Sequence, residues 1–186
     1  ETVLSFKLQN TSSITADYSP MGLVVDKEGI IYVADTWGGK IQKFDQQGKL
    51  LTVIGKSGSK IGEFNRPMDL ALDAAGNLYV NDTMNGRIQV FTKDGVFLKQ
   101  ITVPFSTSGY FLHSEIAVDA KGNVYVPDVQ TQTIGVYNAE GNLIRRFGAE
   151  GSGNGQFNSS RLSLAIDANG NIYVGEGNKS RVQKFS

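Results

Sequence analysis

The sequence predicts an all-β fold built from four copies of one repeat, and two observations carry that prediction. First, a Tyr-Val-x-Asp motif, with Glu replacing Asp in the last copy, begins at Tyr32, Tyr79, Tyr125 and Tyr173. These tyrosines are 47, 46 and 48 residues apart. Second, every copy is a series of short β-branched and aromatic runs separated by turn residues. Repeats of this length and composition are typical of β-propeller blades, so we expect a propeller of four four-stranded blades.

Each copy divides into four strands, as the second copy illustrates. Its alternating pattern predicts strands over 69–73, 78–81, 87–91 and 96–101. Gly76 lies in the first reversal, where a tight hairpin turn needs a residue that tolerates positive φ. An aspartate stands beside this turn in every copy: Asp26, Asp73, Asp119 and Asp167. We expect each of these carboxylates to cap the backbone amides of its turn.

The whole chain, residues 1–186, is expected to form one propeller domain with blades at about 22–55, 68–102, 114–148 and 162–186. The last copy ends after its third strand, whereas residues 2–8 alternate like an outer strand. We therefore expect residues 2–8 to complete the last blade and close the ring, which removes unpaired sheet edges. The alternative is an open piece of a larger propeller. A closed ring predicts a monomer, and an open arc predicts a dimer.

The copies resemble the NHL repeat in three features. These are the strand that ends in Tyr-Val-x-Asp, the Arg-Ile-Gln-x-Phe strand at 87–91, and the Gly-x-Phe-x-x-Pro linker at 62–67. The linker returns as Gly155-Gln-Phe157, with Arg161 where proline would stand. The resemblance covers nearly the whole chain and implies a β-propeller. NHL-like propellers commonly close with about six blades, and some of them bind RNA on a basic face.

Composition excludes several classes of function. Lys plus Arg equals Asp plus Glu at 18 each, and Arg145-Arg146 is the one adjacent basic pair in the sequence, so binding to nucleic acid is not expected. The sequence has no cysteine, which removes disulfides, thiolate zinc sites and thiol nucleophiles. No apolar run reaches the roughly 20 residues that span a bilayer.

No catalytic residue, metal site or cofactor is predicted. The acidic residue that ends each second strand (Asp35, Asp82, Asp128 and Glu176) recurs in every blade, so we expect it to bind loop amides or an arginine of its own blade. His113 is the single histidine and cannot rebuild the histidine-rich metal site of lyases that look like this family. Asp69 and Glu115 are the carboxylates nearest the starts of inner strands, and two are too few for a metal site.

Function is expected on the face where the loops between second and third strands meet the linkers between blades, because these segments differ most between copies. Trp37, the single tryptophan, is a candidate binding anchor there, or it covers the neighbouring blade. The predicted binding residues on this face are Trp37, Arg66, Met84, His113, Gln130 and Arg161.

Three hypotheses follow from these features. The first is a non-enzymatic binding or scaffold module for a protein, peptide or glycan ligand. The second is a hydrolase or lyase similar to lactonase-type propellers, which use a divalent cation at the centre of the ring. The third is an NHL-like RNA binder, which the balanced charge disfavours. An extracellular or periplasmic location is favoured.

Overall fold

The structure is a computed structural model that describes residues 4–8, 20–103, 115–177 and 179–186. The first blade consists of β1 (Leu23–Val25), β2 (Ile31–Asp35), β3 (Lys40–Phe44) and β4 (Leu50–Ile54). A linker with β5 (Lys56–Ser57) and β6 (Glu63–Phe64) precedes the second blade, β7 (Pro67–Leu72), β8 (Leu78–Asp82), β9 (Arg87–Phe91) and β10 (Phe97–Thr102). The third blade is β11 (Ala117–Val118), β12 (Val124–Asp128), β13 (Thr133–Tyr137) and β14 (Leu143–Phe147). The fourth contains β15 (Leu162–Ile166), β16 (Ile172–Glu176) and β17 (Arg181–Phe185).

The sheets confirm the predicted all-β propeller architecture of four blades. In each blade the strands follow one another in sequence order, and every neighbouring pair is antiparallel. The strands of the second blade lie within two residues of their predicted positions. One 3-10 turn, Thr83–Asn85, is the helical element of the described residues.

The aspartates beside the first turns have the predicted structural role. In each blade one carboxylate oxygen accepts hydrogen bonds from the amides two and four residues later, at 2.8–2.9 Å. The phenol hydroxyls of Tyr125 and Tyr173 donate to the other oxygen of Asp119 and Asp167 at 3.2 Å. The Tyr and Asp of each repeat therefore fix the hairpin between the first two strands.

The hydrophobic core consists of three clusters, one at each junction between consecutive blades. Linker phenylalanines are fully buried in the first and third junctions, at Phe64 and Phe157. Glycine is required opposite each ring. A Cβ on Gly55 would lie 2.3 Å from the Phe64 ring, and one on Gly148 would lie 2.4 Å from the Phe157 ring.

The predicted closing strand requires a correction. The described residues 4–8 are not in a strand, and the fourth blade has three strands in the described part of the chain. Instead of pairing beside β17, the described residues 4–8 lie on the first blade, where the rings of Phe6 and Phe44 are 4.8 Å apart. Because Phe44 is buried on the blade surface that points away from the second blade, Phe6 gains apolar contact there.

Candidate functional site

The loops between second and third strands and the linkers lie on one side of the molecule, which we call the loop face. Antiparallel register places the start of β7 beside the end of β8, with Pro67 opposite Asp82. Direct hydrogen bonds join loops and linkers. The Met84 amide donates to the Asn65 carbonyl at 3.1 Å, and the Gln132 side chain donates to the Ser159 carbonyl at 3.0 Å.

The repeated carboxylate at the end of the second strand holds the linker, as the sequence predicts. Asp82 is fully buried and accepts hydrogen bonds from the Asn65 amide and from Arg87 Nε, both at 2.7 Å. Arg87 in turn donates to the Lys60 and Glu63 carbonyls at 2.7 and 2.9 Å. This network joins the second blade to the linker before it.

The fourth blade repeats this arrangement with a glutamate. Glu176 accepts from Arg181 Nε at 2.7 Å and from the Asn158 amide at 3.2 Å. Burial opposes ionisation of Glu176, but these hydrogen bonds and one from Gln183 outweigh it and lower the pKa of the carboxyl. Asp82 and Glu176 are therefore occupied by structural contacts with arginine and linker amides.

Trp37 and Arg66 form a stacked pair on the loop face. The Arg66 guanidinium carbon lies 4.3 Å from the centroid of the indole ring, a cation–π geometry. Arg66 adopts φ 53°, a left-handed conformation that is costly for a residue with a Cβ. Next to it, the Thr36 hydroxyl donates to the Pro67 carbonyl at 2.8 Å. Trp37 Nε1 is shielded from solvent and has no hydrogen-bond partner among the described residues.

The other predicted loop-face residues do not form one cluster with this pair. Met84 lies beside the same linker through its amide, whereas Gln130 is exposed in the loop of the third blade. Arg161 extends from the start of the fourth blade into a separate cavity. His113 falls outside the described residues.

That cavity, the central cavity, lies where the inner strands of all four blades converge. Its volume is about 270 Å³. The lining residues are Met21, Gly22, Leu23, Met68, Asp69, Glu115 and Arg161. The first two blades approach closely here, since a Cβ on Gly22 would lie 2.6 Å from the Cα of Asp69. The cavity belongs to the loop face because the inner strands begin on that side.

One wall of the central cavity carries an ion pair. Arg161 Nη2 lies 3.3 Å from Glu115 Oε1, and the Ser163 hydroxyl lies 3.2 Å from the same oxygen. More than half of the Arg161 side chain is exposed, so the guanidinium remains accessible to a ligand. The cavity therefore offers both a cation and carboxylates within an apolar frame of methionine and leucine.

Asp69 is a carboxyl of the cavity whose pKa is raised. Burial and, to a smaller extent, the charge of Glu115 together raise the pKa of its carboxyl to about 7, against the hydrogen bonds from the Ile116 and Leu70 amides. The Ile116 amide donates to Asp69 Oδ2 at 2.7 Å. Near neutral pH the carboxyl can donate or accept a proton, which suits either hydrogen bonding to a ligand or acid–base chemistry.

From the sequence, Asp69 and Glu115 were considered only as metal ligands and were too few for that role, and Met21 and Met68 of the cavity were missed. The sequence nevertheless contained a pattern from which the cavity position could have been recognised. Gly22, Asp69 and Glu115 all lie four residues before the turn aspartate, so one repeat position carries a different side chain in each blade. Among the described residues, no three histidine, aspartate or glutamate side chains form a group that could hold a metal ion.

The fold and its antiparallel blades define the chain as a β-propeller. A family model described as 6-bladed beta-propeller, DUF5128, matches residues 15–117, which is more than half of the sequence. The chain belongs to this family. A comparison with curated proteins gives no match.

Solved structures share the fold at low sequence identity. Selenomethionine-substituted virginiamycin B lyase from Staphylococcus aureus matches with TM-score 0.61 and 16% identity, over 92% of this chain and 57% of that one. A nidogen/laminin complex matches with TM-score 0.61 and 21% identity, over 89% of this chain and 60% of that one. A protein of unknown function from Bacteroides thetaiotaomicron matches with TM-score 0.66 and 20% identity, over 88% of this chain and 44% of that one. The chain thus spans about half the length of the structures it matches.

No helix in the described part of the chain has the length and apolarity that crossing a bilayer requires.

Proposed function

We propose that this chain is a non-enzymatic binding propeller that presents its loop face to a protein, peptide or glycan ligand. The observation that carries the proposal is the central cavity. Inner-strand residues of four blades meet there around an accessible Arg161, a carboxylate pair and apolar walls. Such a mixture of a few polar groups in an apolar concave frame is what ligand sites use for both affinity and orientation.

The two parts of the loop face have different roles in this proposal. Trp37 and Arg66 offer a flat, partly buried aromatic and cationic surface, of the kind that anchors binding partners. Met84 extends that surface, and Gln130 is proposed as a separate contact in the loop of the third blade. Arg161 orients an acidic or hydroxyl group of the ligand in the cavity. A solved nidogen/laminin complex provides a precedent for a similar fold in a protein–protein complex.

The blades are also proposed to be NHL repeats, within one propeller domain over residues 1–186. The supporting features are the Tyr-Val-x-Asp strand ends, the Arg-Ile-Gln-x-Phe strand and the Gly-x-Phe linkers. The contacts of Asp82 and Glu176 with an arginine in the next strand give that motif a structural reason to recur.

A lyase- or lactonase-like enzyme is the second candidate. One observation favours it: Asp69, whose pKa burial raises to about 7, is placed to exchange protons in a cavity. A similar fold occurs in virginiamycin B lyase, at 16% identity.

Screening the labelled chain on peptide and glycan arrays tests the binding proposal. Hits would be measured by calorimetry against Trp37→Ala and Arg161→Ala, and we expect each substitution to weaken binding at least about tenfold, as hot-spot residues do. Lys121→Ala is the matched control, because this exposed lysine lies in a hairpin turn at the opposite side.

Two outcomes would contradict the proposal. Equal affinity in all three variants would place binding away from the loop face. Turnover of a lactone or cyclic peptide ester that Asp69→Asn abolishes would favour the enzyme instead.

A further inference from the structure

The central cavity is lined by more carboxylates than cations. Its charged lining residues are Asp69, Glu115 and Arg161. Arg161 Nη2 pairs with Glu115 Oε1 at 3.3 Å, so the charge of Glu115 is balanced within the chain. Asp69 forms no ion pair with any described residue, and the first blade approaches it through Gly22, which carries no charge. A negative charge without a counter-ion is therefore left in the cavity whenever Asp69 is ionised.

Asp69 keeps hydrogen-bonding capacity towards the cavity. The Ile116 amide donates to Asp69 Oδ2 at 2.7 Å, and the Leu70 amide also donates to this carboxyl. An ionised carboxylate has about four acceptor positions, so about two remain for a ligand. Because Asp69 is half-buried and lines the cavity, a hydrogen-bond donor that enters the cavity can reach it.

The groups around Asp69 explain why its carboxyl resists ionisation. Burial is the main cause, and the charge of Glu115, at the start of the third blade, adds repulsion. Arg161, from the fourth blade, is paired with that same Glu115. Together burial and repulsion raise the pKa of the Asp69 carboxyl to about 7. A bound cation would supply the counter-charge that the fold omits.

The rest of the cavity wall suits an aliphatic chain. Met21 and Leu23 come from the first blade and Met68 from the second, around a volume of about 270 Å³. Flexible thioether side chains pack against methylene groups and adapt to their shape. A metal ion fits this frame poorly, because calcium takes roughly six to eight oxygen ligands and the described residues contain no group of three metal-binding side chains.

We propose that the central cavity binds an alkyl ammonium group, such as the end of a lysine side chain, with the ammonium beside Asp69 and the methylenes against Met21 and Met68. This inference rests on the binding function proposed above and names the ligand group that enters the cavity. The ammonium has three N–H donors for the remaining acceptor positions of the carboxylates. The other N–H groups of Arg161 are left for the acidic or hydroxyl group of the same ligand.

Methionine methyl signals can report on the cavity directly. The sequence has three methionines, of which Met21 and Met68 line the cavity, whereas the Met84 amide binds the Asn65 carbonyl in the first linker. We expect pentylamine to shift the ¹³C-methyl signals of Met21 and Met68 in the labelled chain and to leave that of Met84 unchanged. Pentan-1-ol has the same length without the charge, and we expect it to bind at least about tenfold more weakly.

Asp69→Asn keeps the shape of the side chain and removes its charge. We expect this substitution to raise the Kd of pentylamine at least about tenfold and to leave the Kd of pentan-1-ol unchanged. Glu140→Gln is the matched control, because it removes a carboxylate from an exposed turn between β13 and β14. The Kd of pentylamine should stay within about twofold in this variant, since solvent and salt screen an exposed charge.

Binding should also depend on pH through Asp69. An alkyl ammonium has a pKa of about 10 and stays charged between pH 5 and pH 8, whereas the Asp69 carboxyl is mostly protonated at pH 5. Because only the ionised carboxylate pairs with the cation, we expect the Kd of pentylamine to be at least about tenfold higher at pH 5 than at pH 8. Asp69→Asn should abolish this difference.

Three results would overturn the inference. If pentylamine and pentan-1-ol bind equally and Asp69→Asn changes neither, the cavity recognises apolar chains alone. If pentylamine shifts Met84 alone, it binds beside Trp37 and Arg66 instead. If it shifts no methionine signal, the cavity does not take an alkyl ammonium.

Failure of the loop-face proposal has a different signature. It is contradicted when ligands from the arrays bind Trp37→Ala and Arg161→Ala as tightly as the unchanged chain, whatever pentylamine does. The two proposals can therefore fail separately.

Discussion

At the residue scale, buried carboxylates of this chain divide into two kinds. Asp82 and Glu176, which end second strands, are each matched by an arginine and by a linker amide. Asp69 accepts amide hydrogen bonds but has no cationic partner among the described residues that would compensate its burial. The first kind stabilises blade junctions, and the second makes the central cavity sensitive to pH.

Asp69→Asn tests that sensitivity. The folded pKa is raised to about 7 from an ordinary value of 3.8, so the folded state binds more protons than the unfolded state between these values. The contribution of Asp69 to the free energy of unfolding is therefore greatest at low pH and falls as pH rises towards 7. Asp69→Asn removes this loss, and we expect it to stabilise the protein by about 2 kcal/mol above pH 7 after allowance for solvent access, with little effect near pH 4. Urea unfolding at both pH values measures this, and a gain that does not depend on pH would contradict it.

Asp82→Ala tests the junction network. It leaves the buried Arg87 guanidinium without its carboxylate, so we expect the free energy of unfolding to fall by about 3 kcal/mol. Asp128→Ala is the matched control at the same repeat position. Its partner Arg146 lies 3.3 Å away, between Nη1 and Asp128 Oδ2, and is partly exposed. A loss of about 1 kcal/mol or less is therefore expected. Equal losses in chemical denaturation would show that burial of the pair does not matter.

At the element scale, each linker depends on a phenylalanine that closes on a glycine. Gly148 has φ 93°, and a Cβ there would overlap the Phe157 ring. Gly148→Ala must therefore displace the ring as well as strain the backbone. We expect it to cost about 3 kcal/mol, as overpacking does in other cores.

Gly170→Ala separates the two contributions. Gly170 has a similar φ of 81° but nothing within 4 Å of its Cβ position, so only the backbone cost of about 1 kcal/mol is expected. A thermal unfolding series with both variants gives the difference. If they are equally destabilised, the ring contact contributes nothing.

The elements were predictable from the sequence where their causes are local. Period-two patterning and a turn aspartate specify the hairpin at Asp73 without help from distant residues. The closing strand was not predictable, because Phe6 could bury its ring beside either end blade and the sequence does not rank these contacts. The cavity is assembled from positions about one repeat apart, so the pairing of Glu115 with Arg161 depends on tertiary geometry.

At the scale of the whole molecule, stability is expected to decline from the interior blades towards the ends. In a repeat array each unit contacts its neighbours, so an end blade has one junction where an interior blade has two. All five residues of β8 are buried, whereas β17 is mostly exposed or half-buried.

Hydrogen exchange measures this gradient. We expect amides of β17 to exchange at least about tenfold faster than those of β8, since local opening of an end blade breaks fewer contacts. Equal protection in both strands would mean that the four blades unfold as one unit.

The stacking of Trp37 on Arg66 also gives the molecule a built-in optical signal. Because the sequence has a single tryptophan, all of its indole emission originates from the loop face. A ligand that withdraws the guanidinium or supplies an acceptor to the shielded Nε1 would change the wavelength of that light, so occupancy can be read without any label.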